Sequence, residues 1–311
     1  MGEWSKKIGE YGENVVEGFL SAVGWNDPAK GIAINCSKQE GEHKNNEGKT
    51  VHTHGIDFLY SYINPLVDGQ LNNVIISSKY KTEKYPNSPT KLFKEFFEDL
   101  VNTIDCFDSS EQKSQVIECQ NQFSSINDIG VLFWLNNQKD SNDDLISVIS
   151  NATIDLEMDK TVYIMDNKHV AFILDLISYI KATDKYHYSF FYPSTGQNIN
   201  PISRIDNGTI LPVEFFNSSI IPIRLENKNN PKEVSFFLGS IDDFDQDSFM
   251  RLMGLAKDLS KHLAGKVIIG FPDYNNLSHK NIVSMSKQGF GDSDFAKTVS
   301  AVSYHNPLDI F

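Results

Sequence analysis

The clearest pattern along the chain is at its start. Ile8, Tyr11, Val15, Val16, Phe19, Leu20 and Val23 recur at helical spacing up to Gly24, with Pro28 just beyond. That stripe predicts an amphipathic helix closed by a glycine C-cap. Glu10 and Glu17 fall nearly opposite the stripe, and Glu13 falls at its edge, where a carboxylate can reach whatever the helix packs against. Residues 29–50 alternate weakly and then turn polar from Ser37 to Lys49, which reads as a mobile loop. Two runs of strand formers follow, Gly55–Tyr62 and Asn73–Lys81, separated by Pro65 and Asp68-Gly69, and they predict an antiparallel hairpin. Alternation places Asp57 with Leu59 on one strand face, and Ser77, Lys79 and Lys81 together on the other strand.

After Pro86 and Pro89, Thr90 is a candidate cap for a second helix carrying Leu92, Phe93, Phe96, Phe97, Leu100, Val101 and Ile104 on one side. A polar connector (105–128), a buried-looking strand at Gly130–Leu135, a short helix near 143–150, a strand at Thr161–Met165 and a helix at His169–Lys181 complete the first half. The order predicts an α/β domain with a mixed central sheet flanked by helices over 1–183. The rest, 184–311, reads as a separate α+β module with strands near 189–192, 210–216, 220–225, 233–238, 266–271 and 298–304 and a helix near 247–263. Neither half shows an internal repeat.

Length fits this division, because 311 residues is about twice one typical domain. No apolar run reaches the length of a membrane span, and the opening Met-Gly-Glu-Trp-Ser-Lys-Lys contains no secretory core, so a cytoplasmic protein is expected. Three cysteines, Cys36, Cys106 and Cys119, fit a reducing compartment and read as ordinary interior or half-exposed thiols. His52 and His54 flank Thr53, but no partner at familiar zinc spacing accompanies them, and they read as surface or supporting histidines.

The net charge of −13 and a complement of only three arginines disfavour general affinity for polyanions. The exception is local: Lys79, Lys81, Lys84, Lys91 and Lys94 face a single acid, Glu83, in that stretch. A carboxylate on the first hairpin strand, a lysine on the second and Glu13 on the opening helix would together supply metal ligands and a cation for phosphodiester hydrolysis. The duller reading makes Glu13 a solvated helix acid and Lys79 a structural partner of Asp57.

Here the chain resembles the PD-(D/E)XK nuclease superfamily, in particular its Mrr-like restriction endonucleases. The resemblance is carried by Gly12-Glu13 with Leu20 and Gly24, by Gly55-Ile56-Asp57, and by Ser77-Ser78-Lys79, over roughly residues 1–183. It implies a restriction-endonuclease-like core and Mg²⁺ or Mn²⁺ held by Asp57 with Glu13. It also implies Lys79 as the catalytic lysine, and DNA rather than RNA as substrate, with Lys81, Lys84, Lys91 and Lys94 along the phosphate path. Ser77 stands where the family carries an acid or glutamine, so the resemblance requires a substitute from the next helix, for which Glu95 or Glu98 is expected. It extends to nuclease subunits of two-gene bacterial antiphage systems, which implies a second protein subunit or a homo-oligomer. The alternative it leaves open is a degenerate nuclease fold that binds nucleic acid or a partner without cutting.

Overall fold

A computed structural model describes residues 3–38, 42–44, 48–120, 122–138, 144–154, 159–200, 202, 204–260 and 265–305, with side chains from residue 7 onward. It divides into two compact units, one of residues 1–170 with 212–217, the other of 171–211 with 218–311. The division falls inside the helix Asn167–Ala182, whereas the sequence places it after residue 183.

The first unit runs α1 (Glu3–Ala22), β1 (Ala29–Asn35), β2 (Thr53–Ile63), β3 (Gln70–Lys81), α2 (Thr90–Phe107), α3 (Glu111–Cys119), β4 (Ser125–Asn136), α4 (Leu145–Ile149) and β5 (Thr161–Met165). Its sheet has the order β1-β2-β3-β4-β5; the first three strands are antiparallel neighbours and the last three parallel. The expected hairpin is therefore β2–β3. β4 is buried from Asp128 to Asn136 because both sheet faces are covered, which is why it reads as an unbroken apolar run. Leu132 and Trp134 pack with Leu59 and Ile75 against Phe93, Phe97, Leu100 and Ile104 of α2. Phe133, on the opposite face, meets the Phe19 ring edge-on at 5.5 Å, which seats α1 there.

α1 ends as the sequence predicts. Gly24 has φ 85°, Trp25 N–H donates to Leu20 O at 2.8 Å and Gly24 N–H to Ser21 O at 3.1 Å, a paired C-cap. Further back along the helix, an added Cβ at Gly12 would lie 2.3 Å from Tyr80 Cβ, so the missing side chain lets α1 sit directly on β3.

Three expectations are corrected. The connector 105–128 contains α3, capped by Ser110, whose side chain accepts from Lys113 N–H. No α3 residue is buried, so no apolar stripe announces it; instead Lys113 reaches Asp128 at 2.7 Å and satisfies that buried acid. The expected strand at 210–216 holds a short 3₁₀ turn, Val213–Phe215, with Phe216 stacked on Trp25 at 4.8 Å. Thr90 is the first residue of α2, and the cap position is Pro89, which makes no side-chain cap bond.

The second unit takes in most of α5 (Asn167–Ala182), then β6 (Tyr186–Phe191), β7 (Asn207–Gly208), β8 (Ile220–Asn227), β9 (Asn230–Ser240), α6 (Gln246–Ser260), β10 (Lys266–Phe271), α7 (Asn276–Gly289), α8 (Ser293–Thr298) and β11 (Val299–Ser303). Its sheet order is β11-β10-β9-β8-β6-β7, with β6, β8 and β9 antiparallel neighbours and β9, β10 and β11 parallel. Strands β6, β8, β9, β10 and β11 thus repeat the directions of β1 to β5, with a helix in each crossover. The repeat absent from the sequence is present in the topology. At the ladder end matching that of β2–β3, Ile220 faces Ser240, and no lysine occurs between Glu233 and Gln246.

Glycine substitutions in α1 separate close packing from helix propensity. An alanine gains up to ~1 kcal/mol over glycine in a helix, and Gly18, with nothing within 4 Å of its Cβ position, receives that gain undiminished. At Gly12 the neighbouring atom is anchored to backbone and overpacking costs ~1–3 kcal/mol. Urea denaturation is expected to show Gly18→Ala stabilised and Gly12→Ala destabilised; equal stabilisation of both would refute the close approach.

Candidate active site

β2 and β3 pair from Ile63–Leu71 to Phe58–Ile76, and the ladder stops there, although β3 continues beside β4 as far as Lys81–Asn136. Just past the last β2 pair, Ser78 N–H donates to Asp57 Oδ2 at 2.6 Å. The carboxylate takes the place of a ladder acceptor and is held by it. Burial pushes the Asp57 pKa up; the Ser78 hydrogen bond and the Lys79 charge oppose the rise, and the Asp99 charge adds to it.

Lys79 Nζ lies 3.3 Å from Asp99 Oδ2 and 5.4 Å above the Phe96 ring. Both partners belong to α2, so that helix contributes an acid to the site. That acid is Asp99, one turn beyond Glu95. Glu95 lies 4.0 Å from Lys91 in an i,i+4 pair, and Glu98 is exposed. Glu13 is on the exposed side of α1, where partial burial, then the charges of Asp57 and Glu10, raise its carboxyl pKa. Asp57 is thus repelled by one acid from α1 and one from α2, with Lys79 as the compensating cation.

Ser77 is buried in β3 and brings a neutral hydroxyl where an acid was the familiar choice. Lys81 ends β3, Lys84 lies in the link to α2, and Lys91 and Lys94 sit in its first turns; the first three are exposed and Lys94 is half-buried. These lysines border the end of the sheet at which the β2–β3 ladder opens.

Oxygen donors carrying surplus negative charge fit a hard divalent cation. Among the described residues, however, the acids do not form a group of three with ligand atoms all within 4.8 Å; the group that meets that condition is Cys36, His43, His54 and Cys106. Cys36 and Cys106 are a half-exposed and an interior thiol as read, but the group corrects the reading that His54 has no metal-ligating partners: Cys36, His43 and Cys106 lie beside it. Cys119 and His52 are exposed and take no part. His43 escaped the sequence reading because it lies in the polar stretch taken for a mobile loop. Asp99 escaped because Glu95 and Glu98 share its helix with equal claim.

A mixed sheet whose opened antiparallel hairpin carries a half-buried aspartate on one strand and a lysine on the next is the framework of a PD-(D/E)XK nuclease. The family model described as the GAPS4 protein PD-(D/E)XK nuclease domain matches residues 1–169, over half of the chain, and the chain belongs to that family. Membership associates it with nuclease-type function in antiphage defence, and nucleases of this type typically use divalent metals. None of the curated proteins matches the chain.

The raised Asp57 pKa means the folded chain holds that proton more tightly than the unfolded one. The resulting stability is present below the ordinary carboxylate value of ~3.9 and is lost as pH rises through the raised value. At pH 7 the ionised carboxylate therefore works against the metal-free fold. Asp57→Asn, which keeps an acceptor for Ser78, is expected to melt above the wild type in metal-free buffer without chelator. Added Mg²⁺ or Mn²⁺ should raise the wild-type midpoint alone. An equal rise in both proteins would contradict this reading.

Proposed function

We propose that this chain is a metal-dependent nuclease that hydrolyses phosphodiester bonds, in DNA in preference to RNA, as part of a bacterial antiphage defence. The observation that carries the reading is the half-buried Asp57, its pKa raised and its carboxylate fixed by Ser78 N–H beside the Lys79–Asp99 pair. Asp57, with Glu13 and an acid from α2, would hold Mg²⁺ or Mn²⁺. Asp99 takes the α2 role in this proposal in place of Glu95, because Asp99 is the acid that reaches Lys79 and whose charge acts on Asp57. Such a cation would supply a Lewis acid for the scissile phosphate and would lower the pKa of a coordinated water.

The chain's own residues do the remainder. The Ser78 N–H fixes one oxygen of Asp57 and so aims the other. Lys79, paired with Asp99 at 3.3 Å, would be the residue to donate to the attacking water or to a non-bridging phosphate oxygen, where charge builds in the transition state. Lys81, Lys84, Lys91 and Lys94 draw the phosphate backbone toward the open hairpin end although the whole chain is acidic. Ser77 offers a neutral oxygen there and leaves the charge to the three acids.

The second unit binds a partner protein or another copy of the chain. Support comes from its lack of the lysine and from its exposed apolar residues, with Ile202 95% and Leu277 91% exposed. Among the described residues, no helix is long and apolar enough to cross a membrane, in keeping with a cytoplasmic site of action.

Purified protein, alone and with the product of the adjacent gene, is expected to degrade DNA when Mg²⁺ or Mn²⁺ is supplied. Asp57→Ala or Lys79→Ala should each lower the rate by about 100-fold or more, and Asp99→Asn should lower it where Glu95→Gln does not. Salt-sensitive binding without cleavage under either metal would favour the degenerate-fold alternative. Size-exclusion chromatography of the same samples is expected to show an assembly, and a strict monomer in both would remove the partner role.

A further inference from the structure

The cluster formed by Cys36, His43, His54 and Cys106 has no place in phosphodiester chemistry, and its geometry is specific. His43 Nδ1 is 3.5 Å from Cys36 Sγ, 3.5 Å from Cys106 Sγ and 3.2 Å from His54 Nε2, and the two sulfurs are 3.7 Å apart. A tetrahedral zinc ion with sulfur ligands at ~2.3 Å and nitrogen ligands at ~2.05 Å has edges of about 3.8 Å between sulfurs, about 3.5 Å between sulfur and nitrogen, and about 3.3 Å between nitrogens. The four contacts match those edges in kind and in length. His43, His54 and Cys106 are buried and Cys36 is half-buried, as a closed structural site requires.

Hydrogen bonding alone accounts for the group poorly. A single His43 Nδ1 faces three polar atoms at once and, as one ring nitrogen, can share at most one proton with them. A disulfide is not formed, and both cysteines are free. Ser37 N–H points at Cys106 Sγ at 3.4 Å, the kind of backbone donor that steadies a thiolate ligand. Two thiolates, two neutral imidazoles and one Zn²⁺ also sum to zero charge, so the buried group would leave no unpaired ion. Tetrahedral sulfur and nitrogen donors select zinc over the hard cations that suit carboxylates.

We propose that Cys36, His43, His54 and Cys106 bind one structural zinc ion, separate from the metal of the carboxylate site. The four ligands come from the residue after β1, from the β1–β2 connection, from β2 and from the last turn of α2. The chain around them is already tied by Cys36 N–H to His52 O and by Val51 N–H to His43 O, both at 2.9 Å. The ion joins β2 to α2, the two elements that carry Asp57 and Asp99. Asp57 follows His54 by three residues on its strand, and Asp99 lies two turns before Cys106 on its helix, so the zinc is a positioning device for the acids.

The test is metal content of the full chain purified in chelator-free buffer. About one zinc per chain is expected by elemental mass spectrometry, and Cys106→Ser or His43→Gln should lower it to below about 0.1, while Cys119→Ser and Asp57→Ala leave it intact. Retention in Asp57→Ala separates this site from the nuclease reading, and zinc is expected even if no cleavage is ever observed. Should the ligand variants fail to fold, cobalt-exchanged wild-type protein decides. Tetrahedral d–d absorption with a thiolate-to-cobalt charge-transfer band supports the site, and an octahedral spectrum overturns it. Less than about 0.1 zinc per chain after purification from zinc-supplemented cells, or a Cys36–Cys106 disulfide in its place, overturns it as well.

Discussion

The structure turns on where the β2–β3 ladder stops. Had pairing continued past Phe58–Ile76, Ser78 N–H would have met a β2 carbonyl and Asp57 would have had no fixed partner. Because it stops, the strands part, a half-buried donor calls for an acceptor, and a carboxylate supplies it at 2.6 Å. The same opening brings the Lys79 ammonium to Asp99 on α2. The absence of a side chain at Gly12 lets α1 approach β3 closely enough for Glu13 and Asp57 to feel one another's charge. An acid set under mutual repulsion is costly to fold, and that cost makes sense if a cation relieves it in the working protein.

On this account two kinds of metal chemistry lie close together in sequence but differ in donor type. Oxygen donors near Asp57 suit a hard, exchangeable ion that takes part in hydrolysis; the buried thiol and imidazole group suits a zinc that does not exchange. The second unit repeats the strand directions of the first without a lysine at the corresponding ladder end.

Much of the first unit was legible because its signals are local. The α1 stripe with Gly24, the β2 and β3 runs, and the apolar faces of α2 and β4 each state a period that packing then satisfies. Asp57 and Lys79 stood out because a charged residue in a strand needs a reason. The failures share a cause, which is that their signal is not local. α3 is fixed by a cap and by Lys113 meeting Asp128 across the fold, and it buries nothing that would create a stripe. That Asp99 pairs with Lys79 depends on how α2 is rotated above β3, which no local pattern on the helix states. The Cys/His group joins residues separated from His43 by 7, 11 and 63 positions, a spacing that matches no compact motif and becomes meaningful only once α2 lies against β1 and β2.

The central claim, that the acids at the opened hairpin hold a catalytic cation, is tested most directly by anomalous diffraction from crystals soaked in Mn²⁺. The account predicts a manganese peak bonded to Asp57 and to at least one of Glu13 and Asp99, with Lys79 turned away from Asp99. No peak beside Asp57 at saturating Mn²⁺, with Lys79 still paired to Asp99, would contradict it.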